Sequence, residues 1–212
     1  MIEITLLADA ATCYKNFMEG KLEGATVYFE EAGAVENTAR TLDLAKTRAE
    51  ELGIKTFVIA STEGSTAAKA LEVFKGNKVV VVTHVAGFHG PNTQEFAAEN
   101  RQTVEEKSGI ILTATHGFGG IQRSLATTMP APPTLAIGDI VAMTLRTFGQ
   151  GMKVALEIAS MAADAGLVRV DEEVISIGGT GRGADTAVVL QPSNIHRFFD
   201  TKVKEIICKP RL

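Results

Sequence analysis

"KTFVIASTEGSTAAKALEVFKGNKVVVVTH" occupies residues 55–84, and its three parts decide the fold. The run from Lys55 to Ser61 is apolar and rich in β-branched residues, without alternation, and so is the run from Lys78 to Val85. Strands of that kind are buried on both faces, as in a parallel sheet covered by helices on each side. Between them Ala67, Ala70, Leu71 and Phe74 recur at three- and four-residue spacing, which predicts a helix with one buried face that stops at Gly76. Strand, helix and strand in this order form a βαβ unit.

The same alternation extends in both directions. "ATVYFEEAG" predicts a short strand at 26–30 and a turn at Gly33. From Val35, the residues Ala39, Leu42, Ala45, Ala49 and Leu52 mark the buried face of a helix closed by Gly53. Asn92 and Glu95 have capping-box spacing and predict a polar helix that runs to Lys107 and stops at Gly109. "GIILTATH" is a further buried strand. Residues 117–138 hold Pro130, Pro132 and Pro133 and are longer than an ordinary connection, so they are expected to be irregular and functional. Helices are predicted over 139–148 and from Met152 to Gly166, then strands at 173–179, 185–192 and 202–210. These last strands have no helix between them and are expected to pair antiparallel at one edge. The expected fold is a single α/β domain over residues 1–212, a doubly wound, mostly parallel sheet with antiparallel edge strands. Residues 1–25 form an N-terminal extension to which no element is assigned.

Composition narrows the function classes. The 212 residues are 45% hydrophobic, enough for a core, and carry a net charge of −4. That balance, with no block of Lys and Arg, excludes a nucleic-acid binder driven by phosphate neutralisation. No apolar run reaches membrane-spanning length, and the start lacks the basic and apolar pattern of a secretion signal, so a cytoplasmic protein without a membrane partner is expected. Cys13 and Cys208 stand far apart with no CxxC and no nearby His, which argues against a metal site or a disulfide framework. The Met- and Ala-rich stretch 139–165 is more apolar than one buried face requires, which points to a subunit interface and a homo-oligomer.

In open α/β sheets ligands bind outside the carboxyl ends of the strands. Four such ends are decorated here. The first reads Ser61, Thr62, Glu63, Gly64, Ser65, Thr66 and leads into a helix, whose free amides and dipole favour an anion. Ser65 or Thr66 serving as a plain helix cap is the competing explanation. The second end carries Thr83 and His84 with Gly87, Phe88, His89 and Gly90. The third carries Thr115, His116, Gly117, Phe118, Gly119 and Gly120. The fourth, Gly178, Gly179, Thr180, Gly181, Arg182 and Gly183, leads into a strand, so it is no dinucleotide fingerprint. It is either a tight hairpin or a lid that closes over a ligand with Arg182 as a charge partner. His84 and His116 suit ring contacts or acid–base work, or a hydrogen-bonded place in a turn. Phe88 and Phe118 suit packing on a flat ligand or anchoring of their loops. No carboxylate is obviously paired with either His, Asp139 and Asp185 being the candidates to come close in space, and no catalytic residue is assigned.

The run 55–84, together with "EVISIGGTGRGADTAVVLQP" at 173–192, resembles the C-terminal domain of pyruvate kinase. There a strand leads through a Thr/Ser-Gly-x-Ser-Ala loop into a helix, and a Gly-rich loop joins two later strands. The resemblance implies that the first loop holds a phosphate and that Gly179, Thr180, Gly181 and Gly183 lie over the same ligand. The sequence is too short to contain the catalytic barrel of that enzyme, so kinase activity is not expected. It is more similar to a small family of stand-alone, mostly archaeal proteins with this domain fold, some of which bind FMN. That likeness implies FMN as cofactor, held through its phosphate by Ser61, Thr62, Gly64, Ser65 and Thr66. It places the flavin ring among His84, Gly87, Phe88, Thr115, His116, Gly117 and Phe118. The alternative it leaves open is a non-enzymatic sensor of a sugar phosphate or nucleotide.

Overall fold

The protein is described by a computed structural model covering residues 26–128 and 136–212. The expected N-terminal extension with Cys13, and residues 129–135 of the proline-containing segment, lie outside the described residues.

The elements in chain order are β1 (Val27–Phe29), α1 (Asn37–Leu52), β2 (Thr56–Ala60), α2 (Ser65–Val73), β3 (Lys78–Val82), α3 (Ala98–Glu106) and β4 (Ile110–Leu112). They continue with α4 (Gln122–Thr128), α5 (Ile137–Arg146), α6 (Gln150–Asp164), β5 (Val174–Gly178), β6 (Thr186–Gln191), a 3-10 turn (Ile195–Asp200) and β7 (Lys202–Pro210). The strands form one sheet in the order β1-β7-β6-β5-β2-β3-β4. β2, β3, β4 and β5 run parallel, while β6 pairs antiparallel with β5 and β7 as the lack of intervening helices predicted. The short β1 adds outside β7, parallel to it.

The unbroken apolar runs are explained by two cores, one on each face. Phe57, Ile59, Val79, Val81, Ile175 and Ile177 point to one face and pack with Leu42, Ala45 and Ala49 of α1 and Ala67, Ala70, Leu71 and Phe74. Val58, Val80, Val82, Val174, Val188 and Leu190 point to the other and pack under Met152, Ala155, Leu156 and Ala159 of α6. Successive residues face opposite ways, so the central strands, covered on both faces, are apolar at nearly every position. Gly53 closes α1 in the left-handed conformation, φ 71°, where a side chain would be strained.

Two local expectations fail. Asn92 and Glu95 do not cap α3. Asn92 takes a left-handed φ of 61° in a turn, α3 starts after Ala97, and Glu95 is turned toward His84. Glu95 lies in the same β3–α3 loop as His84, and the fold of that loop turns its carboxylate onto the imidazole instead of the helix end. The segment 117–138 is not irregular throughout, because α4 occupies Gln122–Thr128. The apolar excess at 139–165 divides unevenly. α6 is buried along most of its length, and α5 leaves Ile137, Ile140 and Met143 exposed.

Candidate binding cavity at the strand ends

The carboxyl ends of β2, β3, β4 and β5 open into one cavity of about 710 Å³. Ala60 and Val82 end their strands at its floor, and α2 and α6 begin along its walls. A pocket of that size suits a small organic ligand, for which the usual range is roughly 300–1,000 Å³.

The first loop shows which residue caps α2. Ser61, buried at the end of β2, accepts the Ala67 N–H at 3.2 Å, and so caps α2 from outside the helix. Ser65 and Thr66 are therefore released from capping. They form the first turn of α2 and line the cavity, and their backbone N–H groups have no acceptor among the described residues. Thr62 lines the cavity beside them, and Lys69 follows one turn into the helix. Donors that converge on a helix N-terminus favour an anion.

Gly64 serves the loop from behind. Its φ is 100°, and a Cβ there would stand 2.4 Å from the Asn100 Cβ and 2.9 Å from the Phe96 ring. It packs the turn onto α3 and does not line the cavity.

The two Thr-His repeats bring their imidazoles together. The His84 and His116 rings lie 5.4 Å apart, and the Phe88 ring sits 4.4 Å from the first and 5.4 Å from the second. All three line the cavity. His84 Nδ1 is 2.7 Å from Glu95 Oε2, and its Nε2 is 3.4 Å from Thr62 Oγ1. Burial holds His116 well below an ordinary imidazole, at about 4, with Glu157 opposing and Arg123, His84 and Lys153 reinforcing the shift. His116 is thus a neutral ring at pH 7.

The fourth loop is a hairpin between β5 and β6, with Gly179, Gly181, Arg182 and Gly183 at the rim of the cavity. Asp185 ties it down. Buried, it accepts the amides of Thr180 (3.1 Å) and Gly33 (3.0 Å) on one oxygen and the Thr186 hydroxyl (2.8 Å) on the other.

Of the residues singled out in the sequence, Ser61, Thr62, Ser65, Thr66, His84, Phe88, His116, Gly179 and Gly181 line the cavity. Gly64, Gly87, Thr115, Gly117, Phe118 and Thr180 do not. Phe118 is buried against Phe198 with ring centroids 4.9 Å apart, so it anchors its loop. Gly117 packs on Ile195.

Apart from Arg182, the charged lining was not anticipated. Lys69, Arg123, Arg146, Lys153 and Arg182 reach the cavity against Glu63, Glu95 and Glu157, a cationic surplus in a chain whose net charge is −4. Lys69, Arg146 and Arg182 have no carboxylate within ion-pair distance among the described residues. Lys153 and Glu157 form a buried pair one turn apart on α6, and Glu157 also accepts the Phe118 N–H at 3.0 Å. A Lys and a Glu four apart on an otherwise apolar, Ala-rich stripe was a visible signal. Glu95 had none, because only the fold of the β3–α3 loop brings it back onto His84, eleven residues earlier.

Among the described residues no group of His, Cys, Asp and Glu is arranged to hold a metal ion, and no helix is long and apolar enough to cross a membrane. Cys208 is buried, and burial pushes its thiol up to about 12, so it is not a nucleophile at neutral pH. A family model described as pyruvate kinase, alpha/beta domain, matches residues 39–190, which take in all four loops of the cavity.

Proposed function

The chain belongs to the pyruvate kinase alpha/beta domain family, and from that premise we propose that its cavity binds a phosphorylated small molecule, FMN being the first candidate. The observation that carries this reading is the first turn of α2. Ser61 caps the helix from a distance and leaves the Ser65 and Thr66 amides open to a cavity with surplus positive charge. Thr62, Ser65, Thr66 and Lys69 would hold the phosphate. His84, Phe88, His116 and the Gly179–Gly183 hairpin would meet the rest of the ligand.

The residues present fit FMN in three respects: an anion cradle at one strand end, flat rings at the next two, and room for a drug-sized ligand. Bound FMN would supply electron and hydride transfer, and the chain would supply position and electrostatics. A flavin-dependent oxidoreductase is the enzymatic form of this reading, and its substrate is unassigned. A sugar phosphate is the second reading. It is favoured by one observation, that among the described residues of the lining Phe88 is the sole Phe or Tyr while the remaining walls are largely polar or charged. In that form the protein is a sensor without chemistry of its own.

The test is a visible absorbance spectrum of the purified protein, with mass spectrometry of anything released on denaturation. A flavin spectrum and an FMN mass support the first form. A colourless protein that takes up no added FMN but is stabilised against heat by sugar phosphates supports the second. A protein stabilised by neither has no phosphate site at α2.

A further inference from the structure

One face of α5 stands in solvent without a charge on it. At about 100° per residue, Ile137, Ile140, Met143, Thr144 and Thr147 fall on one side of the helix, with Phe148 just past its end, and all are exposed. Ile137 is 79% exposed, and Ile140, Met143 and Phe148 are each a little over half exposed. The opposite side packs on the molecule through Gly138, Ala142 and Leu145. The apolar surface continues past both ends. Ile121, 87% exposed, stands beside the helix start, where Gly138 lies against Gln122 and the Phe118 carbonyl. Leu212, 70% exposed, approaches Gly149 at the other end. A contiguous apolar strip of this kind marks an interaction surface.

The charges of α5 say what fits there. The helix carries two, Asp139 in its first turn and Arg146 in its last. Seven residues apart, they lie within about 20° of each other around the axis, on the same flank of the apolar stripe. Asp139 Oδ2 accepts the Ala136 N–H at 3.1 Å, and Arg146 Nε donates to Gln150 at 2.7 Å. In an antiparallel pair of α5 helices related by a two-fold axis, each flank faces the same flank of the other copy, with the ends exchanged. Asp139 then meets Arg146 of the partner subunit, and the pair occurs twice. The same register sets Ile137 against Phe148 of the partner subunit, because both pairs are centred between positions 142 and 143. It also brings Met143 beside the axis, facing Met143 of the partner subunit. A parallel pair would put Asp139 and Arg146 on opposite sides of the seam. Charge and apolar side chains therefore select the same occupant and the same register.

We propose that a second copy of this chain docks on α5, antiparallel about a two-fold axis beside Met143, with an Asp139–Arg146 ion pair at each end of the seam. Two-fold contacts of one patch with itself are the commonest way in which homo-oligomers form. The seam from Ile137 to Phe148 is about 16 Å long, and Ile121 and Leu212 extend it. Such a contact is small, so the dimer is concentration-dependent. Arg146 also lines the cavity, and the pairing sets a carboxylate of one copy at the cavity of the other. Nothing in this contact depends on what the cavity binds.

The test is analytical ultracentrifugation of the full chain from micromolar to submillimolar concentration. A mass that rises to twice that of the chain is expected. Met143→Lys, which sets two like charges at the axis, should weaken the dimer at least about a hundredfold. Met143 is exposed, so this variant should keep the circular dichroism of the wild type. Cross-linking reads the register, in a Cys13→Ser background because Cys208 is buried. Met143→Cys should form a disulfide between copies on mild oxidation. Ile137→Cys should not do so alone, its two copies standing about 16 Å apart, but should when mixed with Phe148→Cys. A wild type that stays monomeric overturns the proposal, and the face is then left to residues 1–25, to residues 129–135 or to another protein. A dimer untouched by Met143→Lys also overturns it and moves the contact to another face. Cross-linking of Ile137→Cys with itself, or none in Met143→Cys, overturns the antiparallel register.

Discussion

A Cβ placed on Gly64 would stand 2.4 Å from the Cβ of Asn100, so the turn that opens α2 is fitted against α3 at backbone distance. The φ of 100° at Gly64 adds a second reason for glycine. Both reasons concern folding. Gly64→Ala is therefore expected to destabilise the protein by roughly 2–3 kcal/mol, from backbone strain and overpacking together. Chemical denaturation gives the value, and a variant as stable as the wild type would show that the turn is not held by this contact.

Substitution of Lys69, which lines the cavity one turn into α2, tests whether that end holds a phosphate. Lys69 is exposed and has no carboxylate partner among the described residues, so Lys69→Ala should change stability by no more than about 0.5 kcal/mol. The same change should weaken FMN roughly tenfold, since a charge-assisted contact contributes about 1.5 kcal/mol or more. Riboflavin binding should be unaltered. Fluorescence titration of both ligands checks this, and equal losses for the two would place Lys69 away from the phosphate.

Asp185 is the keystone of the hairpin at the cavity rim. Removing its carboxylate leaves the amides of Gly33 and Thr180 without their acceptor. Asp185→Ala should cost at least about 2 kcal/mol on that account. Asp185→Asn should cost less, because one amide oxygen can still accept both N–H groups and the Thr186 hydroxyl can turn to accept from the new NH₂. Denaturation midpoints of the two variants decide it, and the reverse ranking would mean that charge, not acceptor geometry, holds the loop.

His116 gives stability a pH dependence of known sign. Its imidazole is held at about 4 in the folded protein by burial first, against about 6.5 in an unfolded chain. Between those values the unfolded state binds the extra proton, so stability is complete above about 6.5 and falls as pH drops toward about 4. His116 is partly exposed, so the loss is discounted to the order of 1–2 kcal/mol. Urea midpoints from pH 7 to pH 4.5 should fall more steeply for the wild type than for His116→Gln. Parallel curves would remove His116 from the account.

The acid limb has a second source on another face. Arg48 of α1 holds Glu205 of β7 through two hydrogen bonds of 2.7 Å, and the pair keeps the Glu205 carboxyl below its usual range. This contribution is present above the ordinary Glu value and is lost only as pH falls below it. Arg48→Met should therefore flatten the stability curve below about pH 4.5 and leave the region from pH 5 to 6.5 to His116.

The sequence by itself determined the sheet and its burial. Apolar runs such as Val79–Val82 admit no exposed face, and the three- and four-residue spacing in Ala67–Phe74 admits one buried helix face. These are local periodicities, and each is set by the geometry of its own element. Sequence order also placed the decorated loops at the carboxyl ends of strands, because a βαβ crossover leaves every parallel strand pointing the same way. What only the tertiary structure decided is which loop residues face the cavity and which hold the loops. Ser61 was eligible for the cradle and became the cap of α2, and Gly64 was eligible for close approach to a phosphate and packs on Asn100. Glu95 looked like a helix cap and became the partner of His84, eleven residues away and on the end of a strand. Contacts of this kind depend on the distance between elements, and no spacing within one segment encodes that distance.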